Sequence, residues 1–144
     1  MSYPEKLREL VELFEFMEER SERIQALIDT ADRFVEVPAE VAERPFDEER
    51  KVPACESEAF VWSIPRADGT LDFHFAVENP QGISAKAMAT ILRETASGAP
   101  LSEVAEIPED VPMTLFGREL SMGKNMGLMA MIAMVRTEAK RASG

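Results

Sequence analysis

Two runs rich in aromatic and β-branched side chains, Ala59 to Ile64 and Leu71 to Val77, flank the dipeptide Asp68-Gly69. The tight turns that join antiparallel strands need positive φ, which Asp-Gly tolerates well, so the pattern predicts a β-hairpin. Leu71, Phe73, Phe75 and Val77 alternate with Asp72, His74, Ala76 and Glu78. Side chains alternate sides along a strand, so the first set should face a core and the second water. In the first arm Phe60, Trp62 and Ile64 should share one face.

Helical patterns surround this hairpin. Ser2-Tyr3-Pro4-Glu5 has the form of a capping box with Pro just inside a helix start. Leu7, Leu10, Phe14 and Met17, then Ile24, Leu27, Ile28 and Ala31, recur at spacings of three and four, which predicts helix to about Phe34. One helix and two helices with a turn near Arg20-Ser21 both fit. From Val37 to Pro53 three prolines punctuate a charged stretch, read as an irregular connection with room for a helical turn after Pro38.

A helix is expected from about Ser84 to Ser97, stopped by Gly98 and Pro100, then one or two turns over Leu101 to Glu106. A short irregular piece after Pro108 and Pro112 should lead to a last helix from about Asn125 to Ala142. That helix is apolar nearly all round between Met126 and Val135, so it is expected to be the most buried element. The layout is an α+β domain: a small antiparallel β-sheet packed against N-terminal and C-terminal α-helices, one domain over residues 1–144.

Composition narrows the function. A formal charge of -11 argues against nucleic-acid or anionic-membrane binding, which needs clustered Lys and Arg. The acidity reads as solubility or as steering toward a basic partner surface. The longest apolar run, Gly127 to Val135, is well short of the roughly 20 residues that span a bilayer. The first residues are acidic and amphipathic, unlike a secretory leader, so a cytoplasmic chain is expected. One cysteine and one histidine offer no internal disulfide and no metal-ligating pattern.

Cys55 lies in Lys51-Val52-Pro53-Ala54-Cys55-Glu56-Ser57-Glu58. A free cysteine often serves as a small buried hydrophobe, and that reading stands beside a reactive one. Pro53 and the polar residues after Cys55 mark a loop near the surface, which favours an accessible thiol. A self-activated nucleophile needs a nearby cation, helix N-terminus or paired histidine. The sequence neighbours are carboxylates instead, and neither a cation at the thiol nor a substrate pocket is evident. Cys55 therefore suits a thiol sheltered at rest or activated by a partner.

His74 reads as an exposed strand residue rather than a base for Cys55. Met122, Met126, Met129, Met131 and Met134 fall at helical spacing in an apolar run, which suggests core packing rather than a soft-metal surface. The paired carboxylates of the N-terminal helix read as solvation.

Three segments, Pro53 to Phe60, Glu22 to Ile28 and Lys124 to Ile132, together resemble the SufE family of sulfur acceptors. Pro53-Ala54-Cys55-Glu56-Ser57-Glu58-Ala59-Phe60 stands where the family carries a Pro-Gly-Cys-Gln-Ser-Gln-Val-Trp type run, with the same spacing to the Asp-Gly turn. Glu22-Arg23-Ile24-Gln25-Ala26-Leu27-Ile28 resembles its Glu-Arg-Tyr-x-x-Leu-Ile helix. Lys124-Asn125-Met126-Gly127-Leu128-Met129-Ala130-Met131-Ile132 resembles its Arg-x-x-Gly-Leu-x-x-Met-Ile segment. Ala54 replaces Gly, Glu56 and Glu58 replace Gln, Phe60 replaces Trp, and Lys124 replaces Arg.

The resemblance implies a SufE/IscU-like fold and an accessory protein rather than an enzyme. Cys55 would accept the persulfide sulfur of a pyridoxal-phosphate-dependent, SufS-like cysteine desulfurase and pass it toward iron-sulfur scaffold proteins. Lys51, Pro53, Glu56, Ser57 and Lys124 would support the thiol or meet the partner, and no cofactor of its own is implied. The competing readings are a one-cysteine thiol enzyme, peroxidase or small-molecule sulfurtransferase, and an allosteric binding module without sulfur transfer.

Overall fold

A computed structural model describes residues 2–144 apart from the side chain of Arg118, and its architecture is α+β. Helices α1 (Glu5–Glu15) and α2 (Arg20–Asp32) precede an antiparallel pair, β1 (Ala59–Pro65) and β2 (Leu71–Val77). Helices α3 (Ile83–Ala96), α4 (Leu101–Val104), α5 (Val111–Phe116) and α6 (Met122–Ser143) follow. Ala59 pairs with Val77 and Pro65 with Leu71. At the turn, Gly69 takes a φ of 88° and the Asp68 carboxylate accepts hydrogen bonds from the Thr70 amide and hydroxyl, at 3.0 and 2.6 Å.

Leu71, Phe73, Phe75 and Val77 point into the main core, as their alternation predicts, against Met88, Ile91 and Leu92 of α3 and Leu128, Met131 and Ile132 of α6. The opposite face departs from expectation, because the connection after α2 covers it. This segment is pinned beside β2 by a hydrogen bond from the Val37 amide to the Phe75 carbonyl and beside β1 by one from Val52 to Ala59, each 2.8 Å. Between these pins Val37, Val41, Ala42 and Phe46 pack on Phe60, Trp62 and Ala76. Phe46 meets Trp62 edge-on at 4.9 Å between centroids. Ala76 is therefore wholly buried and His74 only partly exposed, whereas Ile64 lies beyond the cover.

Four further expectations are corrected. Helix α1 begins after Pro4, which is its N-cap, and no side chain caps it, so the predicted capping box does not form. The N-terminal pattern, which fitted one helix or two, resolves into two although no Gly or Pro divides them. Arg23 reaches back to donate to the Met17 carbonyl at 2.7 Å, satisfying backbone left open by the break. The segment after Pro108 holds α5 with Pro112 in its first turn, where a missing N–H costs little.

Helix α6 starts earlier than predicted because the Ser121 hydroxyl accepts from the Lys124 amide at 3.2 Å. It is not the most buried element. Met122 and Met126 are exposed, and of its methionines only Met131 is fully enclosed. Helix α3 is the more buried, because it is packed on by α1, α2, α6 and β2. Apolarity on every side of α6 does not decide which sides find neighbours. Among the described residues no helix is long and apolar enough to cross a membrane.

Candidate functional site

The loop carrying Cys55 is closed at its base and strapped at its exit. Val52 and Ala59, both buried, are joined by their backbone hydrogen bond. Inside the loop the Glu58 amide donates to the Cys55 carbonyl at 3.1 Å. The Ser57 and Glu58 carbonyls accept from the Asn79 and Glu78 amides, each at 3.1 Å, which ties the exit to the end of β2. Ala54 and Glu58 have φ of 60° and 53°, the left-handed region that disfavours side chains. The glycine that the resembled motif has at the position of Ala54 has a physical reason here.

Cys55 is partly buried and packs against the main core. It opens on a cleft of about 430 Å3 whose walls come from all three segments that carried the resemblance. Ile24, Leu27 and Ile28 of α2 form one wall, and Lys124, Gly127 and Leu128 of α6 another. Cys55, Glu56 and Ser57 of the loop form the third, and the turn from Asn79 into the first residues of α3 completes the cleft. Glu56, Ser57 and Lys124 thus share a cleft with Cys55. Lys51 and Pro53 do not: they lie on the other side of the loop, in a shallower concavity that Cys55 and Glu56 also border.

The expectation that the thiol lacks a neighbouring cation and a pocket is amended. Lys124 and the first turn of α3, which carries no acidic residue, bring positive potential to the cleft, and Glu56 opposes them. His74 sits opposite Trp62 in the hairpin and borders neither concavity among the described residues. Reading it as a strand residue rather than a base agrees with that position. Among the described residues no group of three or more His, Cys, Asp or Glu could hold a metal ion.

Sequence reasoning gave no role to the residues that shape the cleft without carrying charge, although Gly127 stands in one of the resembling segments. Gly127 lies directly under the loop, and Gly82 faces Ser57. An isolated glycine inside an apolar helix is a recognisable signal of close packing, but its partner cannot be named from sequence. Asn79, whose side-chain oxygen accepts from the Gln81 amide at 2.9 Å, shapes the turn into α3.

Fold and site together describe an α+β domain that holds a single thiol on a constrained loop at the edge of a cleft. The sequence model of SufE, an Fe-S metabolism associated domain, matches residues 8–139. The chain belongs to the SufE family, and that membership ties it to iron-sulfur metabolism. The solution structure of a hypothetical protein from Thermus thermophilus is similar, with a TM-score of 0.73 and 24% identity over 98% of each chain, which shows a shared fold. No curated protein matches the chain.

Proposed function

We propose that this protein is a sulfur acceptor and activator for a pyridoxal-phosphate-dependent cysteine desulfurase. The Cys55 thiolate attacks the terminal sulfur of the desulfurase persulfide. The bond between the two desulfurase sulfurs breaks, the partner's cysteine leaves as a thiolate, and Cys55 becomes the persulfide, with no net oxidation or reduction. The rate follows thiolate fraction, leaving-group pKa and access, as in thiol-disulfide exchange. From Cys55 the sulfur passes toward iron-sulfur scaffold proteins.

The observation that carries this reading is the position of Cys55 on a short loop at the meeting point of the three SufE-like segments. Handing sulfur to another protein requires the thiol to reach out of its own surface. Pro53, Ala54 and Glu56 are exposed, which leaves the outer side of the loop open to a partner. Lys51, Pro53 and Glu56 would face the partner, while Ser57 and Lys124 support the thiol from the cleft. The protein acts as an accessory factor, with the chemistry of carbon-sulfur cleavage left to the desulfurase.

The cleft itself favours a second reading, a thiol enzyme acting on a small molecule held beside Cys55. Desulfurase turnover with and without the C55S variant separates the readings. A sulfur acceptor stimulates turnover and C55S does not, whereas an allosteric module stimulates in both forms. A small-molecule enzyme stimulates in neither and consumes a peroxide or small sulfur donor without the desulfurase.

A further inference from the structure

Gly127 stands in the interior of α6, where glycine disfavours a helix relative to alanine. A Cβ there would lie 3.0 Å from the Cys55 Cα, 3.2 Å from the Ala54 carbonyl oxygen and 3.4 Å from the Cys55 Cβ. The two closest are backbone atoms, which cannot swing aside as a side-chain tip can. Gly82, at the start of α3, meets the same loop through a side chain: a Cβ there would lie 2.7 Å from the Ser57 Oγ, 2.9 Å from its Cβ and 3.0 Å from the Val77 Cγ1. Gly123 is the internal comparison. It lies one turn earlier in α6 and borders the same cleft, yet nothing lies within 4 Å of the Cβ it lacks.

We infer that Gly127, with Gly82 opposite, is a positioning residue that seats the Cys55 loop and keeps its thiol partly buried at rest. The inference takes its purpose from the sulfur-acceptor reading, since a seated thiol is sheltered until a partner draws it out. The two left-handed residues, Ala54 and Glu58, bracket the part of the loop that lies on the glycines, while Val52 and Ala59 stay anchored in the core. A methyl group at position 127 pushes on the loop backbone and shifts it toward the unseated, exposed arrangement.

The test is the rate at which iodoacetamide alkylates Cys55 in the full-length protein without any partner, followed by mass spectrometry beside urea unfolding of the same samples. Overpacking strain makes G127A react faster by on the order of fivefold or more. The acceleration comes without a matching fall in the unfolding midpoint, because alanine favours the helix. G123A keeps the wild-type alkylation rate. Should G127A fail to fold, G82A carries the same expectation. Wild-type rates in G127A and G82A, or equal acceleration in G123A, would overturn the seat.

Because the readout needs no desulfurase, the two ideas fail separately. Faster alkylation of G127A in a protein that never accepts sulfur supports the seat and sinks the acceptor reading. Sulfur acceptance with unchanged alkylation rates does the reverse.

Discussion

Ala54 and Glu58 stand on either side of Cys55 with left-handed backbones, φ 60° and 53°, so the thiol is presented between two kinks that neither side chain favours. For an alanine this conformation costs about 1–2 kcal/mol. Glycine removes that cost but adds about 0.4–1 kcal/mol of unfolded-chain entropy. The A54G variant is therefore expected to be more stable by about 0.5 kcal/mol, read as a higher urea midpoint. A lower midpoint would show that the loop is not held in this conformation.

The buried ion pair between α2 and the segment before α6 should matter more than its exposed neighbour. The Glu119 carboxylate is nearly enclosed, with Arg23 at 3.6 Å and the largely exposed Arg20 at 3.1 Å. Arg23→Ala removes the hydrogen bond to the Met17 carbonyl and leaves the enclosed carboxylate poorly compensated. A loss of about 2 kcal/mol is expected, below the range for fully buried pairs because Arg23 is partly solvated. Arg20→Ala should cost under about 0.5 kcal/mol. Urea unfolding of the two variants gives the comparison, and equal losses would contradict it.

The cover on the outer face of the hairpin can be followed through the single tryptophan. Phe46 touches both Phe60 and Trp62, with centroid distances of 5.1 and 4.9 Å. Phe46→Ala should destabilise by about 2 kcal/mol, less than a full core truncation because Phe46 is only partly buried. It should also shift Trp62 emission to the red under native conditions. Unchanged emission would mean that Trp62 is not covered by this segment.

These features divide what was legible in the sequence from what was not. The hairpin was readable because alternation and the Asp68-Gly69 turn act within a few residues. The break between α1 and α2 stayed open between one helix and two, since it is fixed by the reach of Arg23 back to the Met17 carbonyl, a contact that apolar spacing does not show. Burial of Ala76 was likewise hidden, because it depends on where the irregular connection lies. At the candidate site, the resemblance marked the segments around Cys55, Ile24 and Lys124, but their convergence on one cleft is a tertiary fact. Nothing in the spacing places Gly127 beneath Cys55 or sets Lys51 on the far side of the loop.

The hairpin turn carries a pH signature. Hydrogen bonds from the Thr70 hydroxyl and then its amide hold the Asp68 carboxyl below its ordinary value of 3.8. The folded state thus prefers the ionised form. Its contribution is present above that ordinary value and is lost as pH falls through the lowered folded value. The stability difference between wild type and Asp68→Ala should be constant near neutral pH and narrow in acid. A difference independent of pH would show that the ionised carboxylate does not hold the turn.

The most direct test of the central claim is to incubate the protein with a cysteine desulfurase and cysteine, then map added sulfur by mass spectrometry. The expected result is one or more additional sulfur atoms on the peptide containing Cys55, removed by a thiol reductant and absent from C55S. An unmodified Cys55 alongside a desulfurase that binds the protein and turns over cysteine would contradict the account.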